Sequence, residues 1–190
     1  RGELYGFAYR TDYDLKKHME KSGTHLVYFD EETKEKIVPH VLEPSFGVDR
    51  TVLAVLLASF REEEMKEGDI RTVLRFPPYL APIKVAVFPL LANKPGLVEK
   101  ARAIYYDLKR GNIHAAWDER GNIGKRYYAQ DEIGTLLTAT IDFQSLEDNT
   151  ITLRDRDTTK QVRINADELL TIVQKIINGE SIFNFGKPVK

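Results

Sequence analysis

The chain has 190 residues, 42% of them apolar and 30% charged, with 28 basic against 29 acidic side chains. That balance supports a hydrophobic core and excludes a chain that is disordered throughout or collagen-like. No apolar run approaches the ~18 residues of a membrane span, and the lack of cysteine excludes disulfides, thiolate catalysis, zinc ribbons and iron–sulfur clusters within this chain.

In chain order, residues 26–29 and 36–43 read as strands joined by a polar turn over 30–35. A mostly buried helix is expected from Asp49 or Arg50 to Phe60, with Glu62, Glu63 and Glu64 as its solvated end. Two strands and one helix do not bury one another, so this part is expected to be the end of a domain that begins earlier. Residues 75–82 contain Pro77, Pro78 and Pro82. Each removes a backbone donor and pushes its predecessor toward extended geometry. The segment reads as a linker, with a domain boundary near residue 80 dividing 1–80 from 81–190.

Beyond it the periodicity alternates. Residues 83–90 form a buried strand rich in β-branched side chains. Pro95 opens a helix with Leu97, Val98, Ala101, Ile104, Tyr105 and Leu108 on one face, and Gly111 stops it. With a second strand over 113–117, this is the pattern of a right-handed βαβ unit. A short helix near 125–133 follows, then strands over 136–143 and 150–153 joined by a polar turn at 145–149. A last helix from about Ala166 to Ile177, closed by Gly179, completes an α/β domain of about 100 residues.

The net charge of −1 conceals an asymmetry, −3 over residues 1–80 and +2 over 81–190. A protein that coats DNA is far more basic, so any nucleic-acid site here is small and shape-directed. His18, His25, His40 and His114 lack the spacing of a metal cage, so no protein metal site is expected. The chain opens Arg-Gly-Glu, without Met and without a charged-then-apolar leader. It reads as cut from a longer cytoplasmic protein.

The informative segment runs Glu43, Pro44, Ser45, Phe46, Gly47, Val48, Asp49, Arg50. A strand is expected to end in an acid, turn through Pro44 and Gly47, and release a helix carrying Arg50. Gly47 lets backbone approach a ligand closely. Arg50 can lay a flat guanidinium on a base or fork onto phosphate. Glu43 and Arg50 would equally serve as a buried ion pair in a plain connection. Gly121, Gly124 and Lys125 do not make a phosphate loop, because Glu119 and Arg126 stand where Gly and Ser or Thr are needed.

That octapeptide resembles motif 3 of the class II aminoacyl-tRNA synthetases, and its Glu-Pro-Ser-x-Gly form resembles the glycyl-tRNA synthetases. Gly2 to Leu4 with residues 8–15 is similar to the segment before motif 3 in that family. Residues 71–75 and 81–85 resemble its passage into the anticodon-binding domain, and residues 122–127, 131–134, 140–142 and 152–157 match further signatures there. The likeness covers nearly the whole chain, in order, and is closest to the dimeric archaeal, eukaryotic and partly bacterial type.

The resemblance implies an α/β fold: an anticodon-binding domain with a mixed sheet flanked by helices, preceded by the end of a class II antiparallel-sheet catalytic domain. It implies ATP-dependent ligation of glycine to its tRNA through an adenylate, with Mg2+ accompanying ATP and a homodimer for the full-length protein. Glu43, Pro44, Ser45, Phe46 and Gly47 would line the glycine pocket, Glu43 holding the ammonium. Arg10 would sit by the carboxylate or adenylate phosphate. Glu3, Leu4, Gly47, Val48, Asp49 and Arg50 would lie about the ATP, with Arg10 and Arg50 as the catalytic arginines. Motifs 1 and 2 have no counterpart here and would lie before Arg1, so the chain holds half an active site. A non-catalytic synthetase-like subunit that binds nucleic acid is the alternative.

For RNA, the alternating charges at 154–157 either pair locally on a solvated strand end or meet unstacked bases and phosphates. Arg154 and Arg156 are the expected contacts, with Asp131 and Glu132 as acceptors for base edges. Trp117, Tyr127 and Phe143 either stack on bases or pack in the core.

Overall fold

The fold is taken from a computed structural model, which describes residues 3–65 and 68–189; Gly2, part of the resemblance above, lies outside them. Contacts divide the chain into two compact units, one running to Val55 and one beginning at Leu56. The division by contact therefore falls at 55/56 and not near residue 80. Among the described residues no helix is long and apolar enough to cross a membrane.

In the first unit, strand β1 (Tyr5–Thr11) is followed by helix α1 (Tyr13–Ser22), the short strands β2 (Tyr28–Phe29) and β3 (Lys36–Ile37), and β4 (Val41–Phe46). Helix α2 (Val48–Ser59) then carries the chain past the division. β2 and β3 pair across the expected polar turn, where the Asp30 carboxylate accepts the Glu32 amide at 2.8 Å. The single strand expected over 36–43 is broken after Ile37, because Pro39 has no amide to continue a ladder. β4 instead pairs antiparallel with β1 and runs on through Glu43 and Pro44 to Phe46, so the turn comes at Gly47 and not at the acid. Neither β1 nor α1 is evident from periodicity; no α1 residue is buried, so the helix carries no apolar stripe.

The second unit starts with an antiparallel hairpin, β5 (Phe60–Glu64) and β6 (Ile70–Leu74). The three glutamates expected at a helix end thus lie in a strand. There follow β7 (Val85–Pro89), α3 (Pro95–Arg110), β8 (Ala115–Trp117), α4 (Ile123–Glu132), β9 (Leu137–Ile141), α5 (Phe143–Asp148), β10 (Thr150–Asp155), β11 (Gln161–Asn165), α6 (Leu169–Ile177) and β12 (Lys187–Pro188). The six-stranded sheet has the order β12-β11-β10-β9-β7-β8; β7 is parallel to β8 and β9, and the remaining pairs are antiparallel. The mixed sheet flanked by helices is the one expected.

Register explains its two faces. Val85, Val87, Leu137, Ala139, Ile141, Ile151, Leu153, Val162 and Ile164 point one way and are buried, as are Leu97, Ala101, Ile104 and Leu108 of α3. Each large side chain buried there is worth ~1.5–3 kcal/mol. The opposite face carries Phe88, Thr138, Thr140, Thr152, Arg154 and Arg163, and α4 covers part of it: the Tyr127 ring packs on Phe88 and its hydroxyl meets Thr140 Oγ1 at 2.7 Å.

The polar turn expected at 145–149 is mostly helix. Asp142 caps it: its Oδ1 accepts the Ser145 amide at 3.0 Å, while Ser145 Oγ accepts the Asp142 amide at 3.0 Å. Gly111 stops α3 as expected, but for close packing, since a Cβ there would lie 2.5 Å from Leu170 Cδ1.

Candidate functional site

The first candidate site is built by the β1–β4 register and the turn into α2. Gly6 lies opposite Ser45, and Ala8 opposite Glu43. The Gly47 amide donates to the Leu4 carbonyl at 3.0 Å, and a Cβ on Gly47 would crowd that oxygen at 3.1 Å. The Arg50 guanidinium, in the first turn of α2, reaches back to the Glu3 carbonyl. A concavity of about 250 Å³ results, lined by Glu3, Leu4, Tyr5, Gly6, Ser45, Phe46, Gly47 and Arg50. Pro44, Val48 and Asp49 are exposed and do not line it.

Glu43 does not pair with Arg50. Arg10 Nε bridges Glu43 Oε2 at 2.9 Å and Asp14 Oδ2 at 2.8 Å, and these side chains stay partly exposed. A carboxylate beside a guanidinium complements a small zwitterion, whose ammonium and carboxylate need one partner of each sign.

In the second unit the arginines expected at an RNA surface are inside. Arg154 forks onto Asp131, with both nitrogen–oxygen distances 2.9 Å, and lies over the Tyr127 ring. Arg71 of β6 brings its Nε to 2.9 Å from the same carboxylate, a charge contact without hydrogen-bond alignment, and donates to Glu63 and to the Arg156 carbonyl. Arg156 donates to the carbonyls of Gly134 at 3.1 Å and Phe76 at 2.7 Å, and to Asp157 at 2.8 Å. Arg154, Arg156 and Asp131 are each 5% exposed or less. Their donors and acceptors are largely taken up by partners within the protein. The physical reason is that β10 is an inner strand, with a hairpin and a helix supplying the partners of its end.

Glu132 is exposed at the end of α4. Tyr127 is largely buried, and that burial pushes its phenol pKa up. Phe143 is exposed where β9 ends, and Trp117, half-buried at the end of β8, carries the Arg102 guanidinium 4.9 Å from its ring centroid. The carboxyl ends of the parallel strands thus present two aromatic rings at the place where open α/β sheets receive ligands. Beside them, partial burial of Asp118 works against ionisation, but the Arg120 amide and guanidinium hold its carboxyl below the usual range. Arg71 and Arg126 lie in segments that carry the family resemblance, but nothing in their residue pattern showed that both side chains are buried.

A family model for the anticodon binding domain matches residues 84–176. The chain is 54% identical over 168 residues to a glycine–tRNA ligase of Ruminiclostridium cellulolyticum, covering 88% of this chain and 36% of that protein. It is 51% identical over 174 residues to one from Clostridium tetani, covering 92% and 37%. A third, from Caldanaerobacter subterraneus, is 52% identical over 168 residues, covering 88% and 35%. The chain therefore spans little more than a third of the length of the curated relatives it matches. With the mixed sheet in place and about half the residues shared over nine-tenths of its length, this chain belongs to the glycyl-tRNA synthetase family, with residues 84–176 as its anticodon-binding domain.

Proposed function

We propose that this chain serves an ATP-dependent enzyme of the cytoplasm, a homodimer at full length, that ligates glycine to its tRNA through glycyl-adenylate. The observation that carries the catalytic part is the convergence of Glu3, Leu4, Ser45, Gly47 and Arg50 on one concavity beside the Arg10–Glu43 pair. Arg50 stacks on adenine and reaches the triphosphate, which arrives with Mg2+. Glu43 takes the glycine ammonium; Arg10 neutralises the carboxylate as it attacks the α-phosphate. Pro44 and Phe46 shape the strand beside that pocket, and Val48 and Asp49 stand at its ATP side. Such a reaction needs positioning and charge neutralisation more than a side-chain nucleophile. A pocket for the smallest amino acid excludes competitors by clash and needs no editing. A non-catalytic subunit would have no use for Arg10, Glu43, Ser45 and Arg50 together.

For the RNA, the anticodon loop meets the carboxyl ends of β7, β8 and β9, with Trp117 and Phe143 as stacking platforms and Glu132 as an outlying acceptor. Trp117 is the sole tryptophan, so its fluorescence reports binding directly. Titrating the whole chain with a glycine anticodon stem-loop should give a saturable change that a scrambled loop does not; identical responses would overturn the RNA reading. In the full-length synthetase, Glu43→Ala should weaken glycine-dependent activation far more than ATP binding. Equal loss of both, or no loss, would make Glu43 merely structural.

A further inference from the structure

Four arginines of the second unit are buried: Arg71, Arg126, Arg154 and Arg156. Three of them contact carboxylates, at Asp131 and Asp157. Arg126, 2% exposed, is different: among the described residues its guanidinium is hydrogen-bonded only to carbonyl oxygens. Nη1 donates to Pro89 at 2.7 Å and Asp118 at 3.3 Å, Nη2 donates to Leu90 at 3.1 Å, and the buried Nε has no partner. The Phe88 ring lies 5.4 Å from its Cζ.

The place of those carbonyls matters. The parallel pairing of β7 with β8 ends at Val87 and Trp117. Pro89 ends β7, still paired with Ile141 of β9, Leu90 follows it, and Asp118 follows β8; all three lie beyond the last β7–β8 pairing. Arg126, projecting from α4, bridges the two strands where their own ladder has stopped. A lysine can also serve three carbonyls, as Lys84 does for Pro78, Tyr79 and Ala81, but it gathers them at one atom of one short segment; the two separate Nη atoms of Arg126 reach carbonyls of two segments. Its guanidinium bonds no carboxylate directly, although the charges of Asp118 and Glu119 act on it, and burying a cation that is not directly paired is costly.

We infer that Arg126 is a positioning residue for RNA discrimination: it locks the loops after β7 and β8, and with them Trp117, in the arrangement that distinguishes one anticodon loop from another. This rests on the proposed RNA-binding function. Arg126 touches no phosphate in this scheme, so it acts on discrimination and not on general electrostatic affinity.

The test uses the whole chain with Arg126→Lys and Arg126→Met, comparing binding of the glycine stem-loop and the scrambled loop, thermal unfolding, and amide exchange at residues 90–94 and 118–122. Arg126→Lys should stay folded and lose roughly tenfold in preference for the glycine loop, the scale of one weakened charge-assisted hydrogen bond. The scrambled loop should bind as before, with an unchanged salt slope. Amide exchange in the two loops should quicken while β9 and β10 keep their protection, and Arg126→Met should go further in both respects. If Arg126→Met fails to fold, Arg126→Lys decides. Unchanged preference in a folded Arg126→Lys, or parallel loss for both RNAs, overturns the inference. If the unsubstituted chain shows no preference, the RNA reading has failed instead; the loop-locking role is then judged by amide exchange alone, and unaltered exchange overturns it.

Discussion

In the first unit Arg10 and Glu43 meet at 2.9 Å with nearly half of each side chain exposed, whereas in the second Arg154 and Asp131 meet at 2.9 Å almost out of reach of water. The distance is the same and the consequence is opposite. An exposed pair contributes ~0–1 kcal/mol and exchanges partners readily, which suits groups that must release each other to hold a substrate. A buried pair is not exchangeable: removing one member strands a charge in a poor solvent. The same contrast runs through the apolar residues. Phe7 and Leu42 of the first unit are 79% and 75% exposed, while Val85, Leu137 and Ile141 of the second are completely covered. The first unit has only two-stranded sheets in a chain that spans little more than a third of its relatives' length, whereas the six strands and helices of the second enclose a core within the chain. Similar residue types are therefore accessible in one unit and enclosed in the other.

That contrast can be broken most directly at Asp131. Asp131→Ala leaves Arg71 and Arg154 without their shared carboxylate and should cost about 3–5 kcal/mol, read by urea unfolding of the whole chain. A midpoint unchanged from the parent would show that the network is decorative. Next in size, a chain beginning at residue 81 lacks Arg71 and the Phe76 carbonyl that Arg156 uses. It should unfold roughly 3 kcal/mol more easily than one beginning at residue 56, and equal stability would return the domain boundary to residue 80.

A smaller effect is expected at Asp142, which caps α5 and pairs with Arg163. Partial burial opposes its ionisation, but Arg163 and Ser145 outweigh it and hold its carboxyl below the usual carboxylate range. Its folded-state pKa is depressed, so its stabilising contribution is full above the unfolded value and is lost as pH falls through the folded one. Asp142→Asn keeps a capping side chain but loses the charge pair with Arg163; it should lower stability by ~1 kcal/mol at neutral pH and flatten the decline of stability below the usual carboxylate range. An acid profile parallel to the parent's would remove Asp142 from the account. Least affected should be Glu43→Gln, which is expected to move the unfolding midpoint by no more than ~0.5 kcal/mol despite its effect on glycine activation. A large loss of stability there would erase the difference between the two pairs.

Much of the second unit was legible in its periodicity. The stripe of Leu97, Ala101, Ile104 and Leu108 marks α3 because a spacing of three and four brings those side chains to one face. Elements without a stripe were not legible: α1 has no buried residue, β5 carries three glutamates, and α5 depends on a cap at Asp142 whose partner Ser145 looks like turn chemistry. At the first site, the turn at Gly47 and the helix carrying Arg50 followed from residue type, but the pairing of Glu43 with Arg10 did not.

By itself the sequence determined the strand and helix periods, the strand–turn–helix that carries Arg50, and a family likeness spread over nearly the whole chain. These are local patterns, set by backbone preference and by which side chains share a face. Only the tertiary structure decided which charges are exposed and which are enclosed. Arg71 and the Arg156 carbonyl it bonds are 85 residues apart, and nothing at 154–157 reveals that a hairpin far upstream and α4 will supply the partners there. Burial is a sum over neighbours brought together by folding, and for an ionised side chain that sum settles whether it faces a ligand or is locked inside the fold.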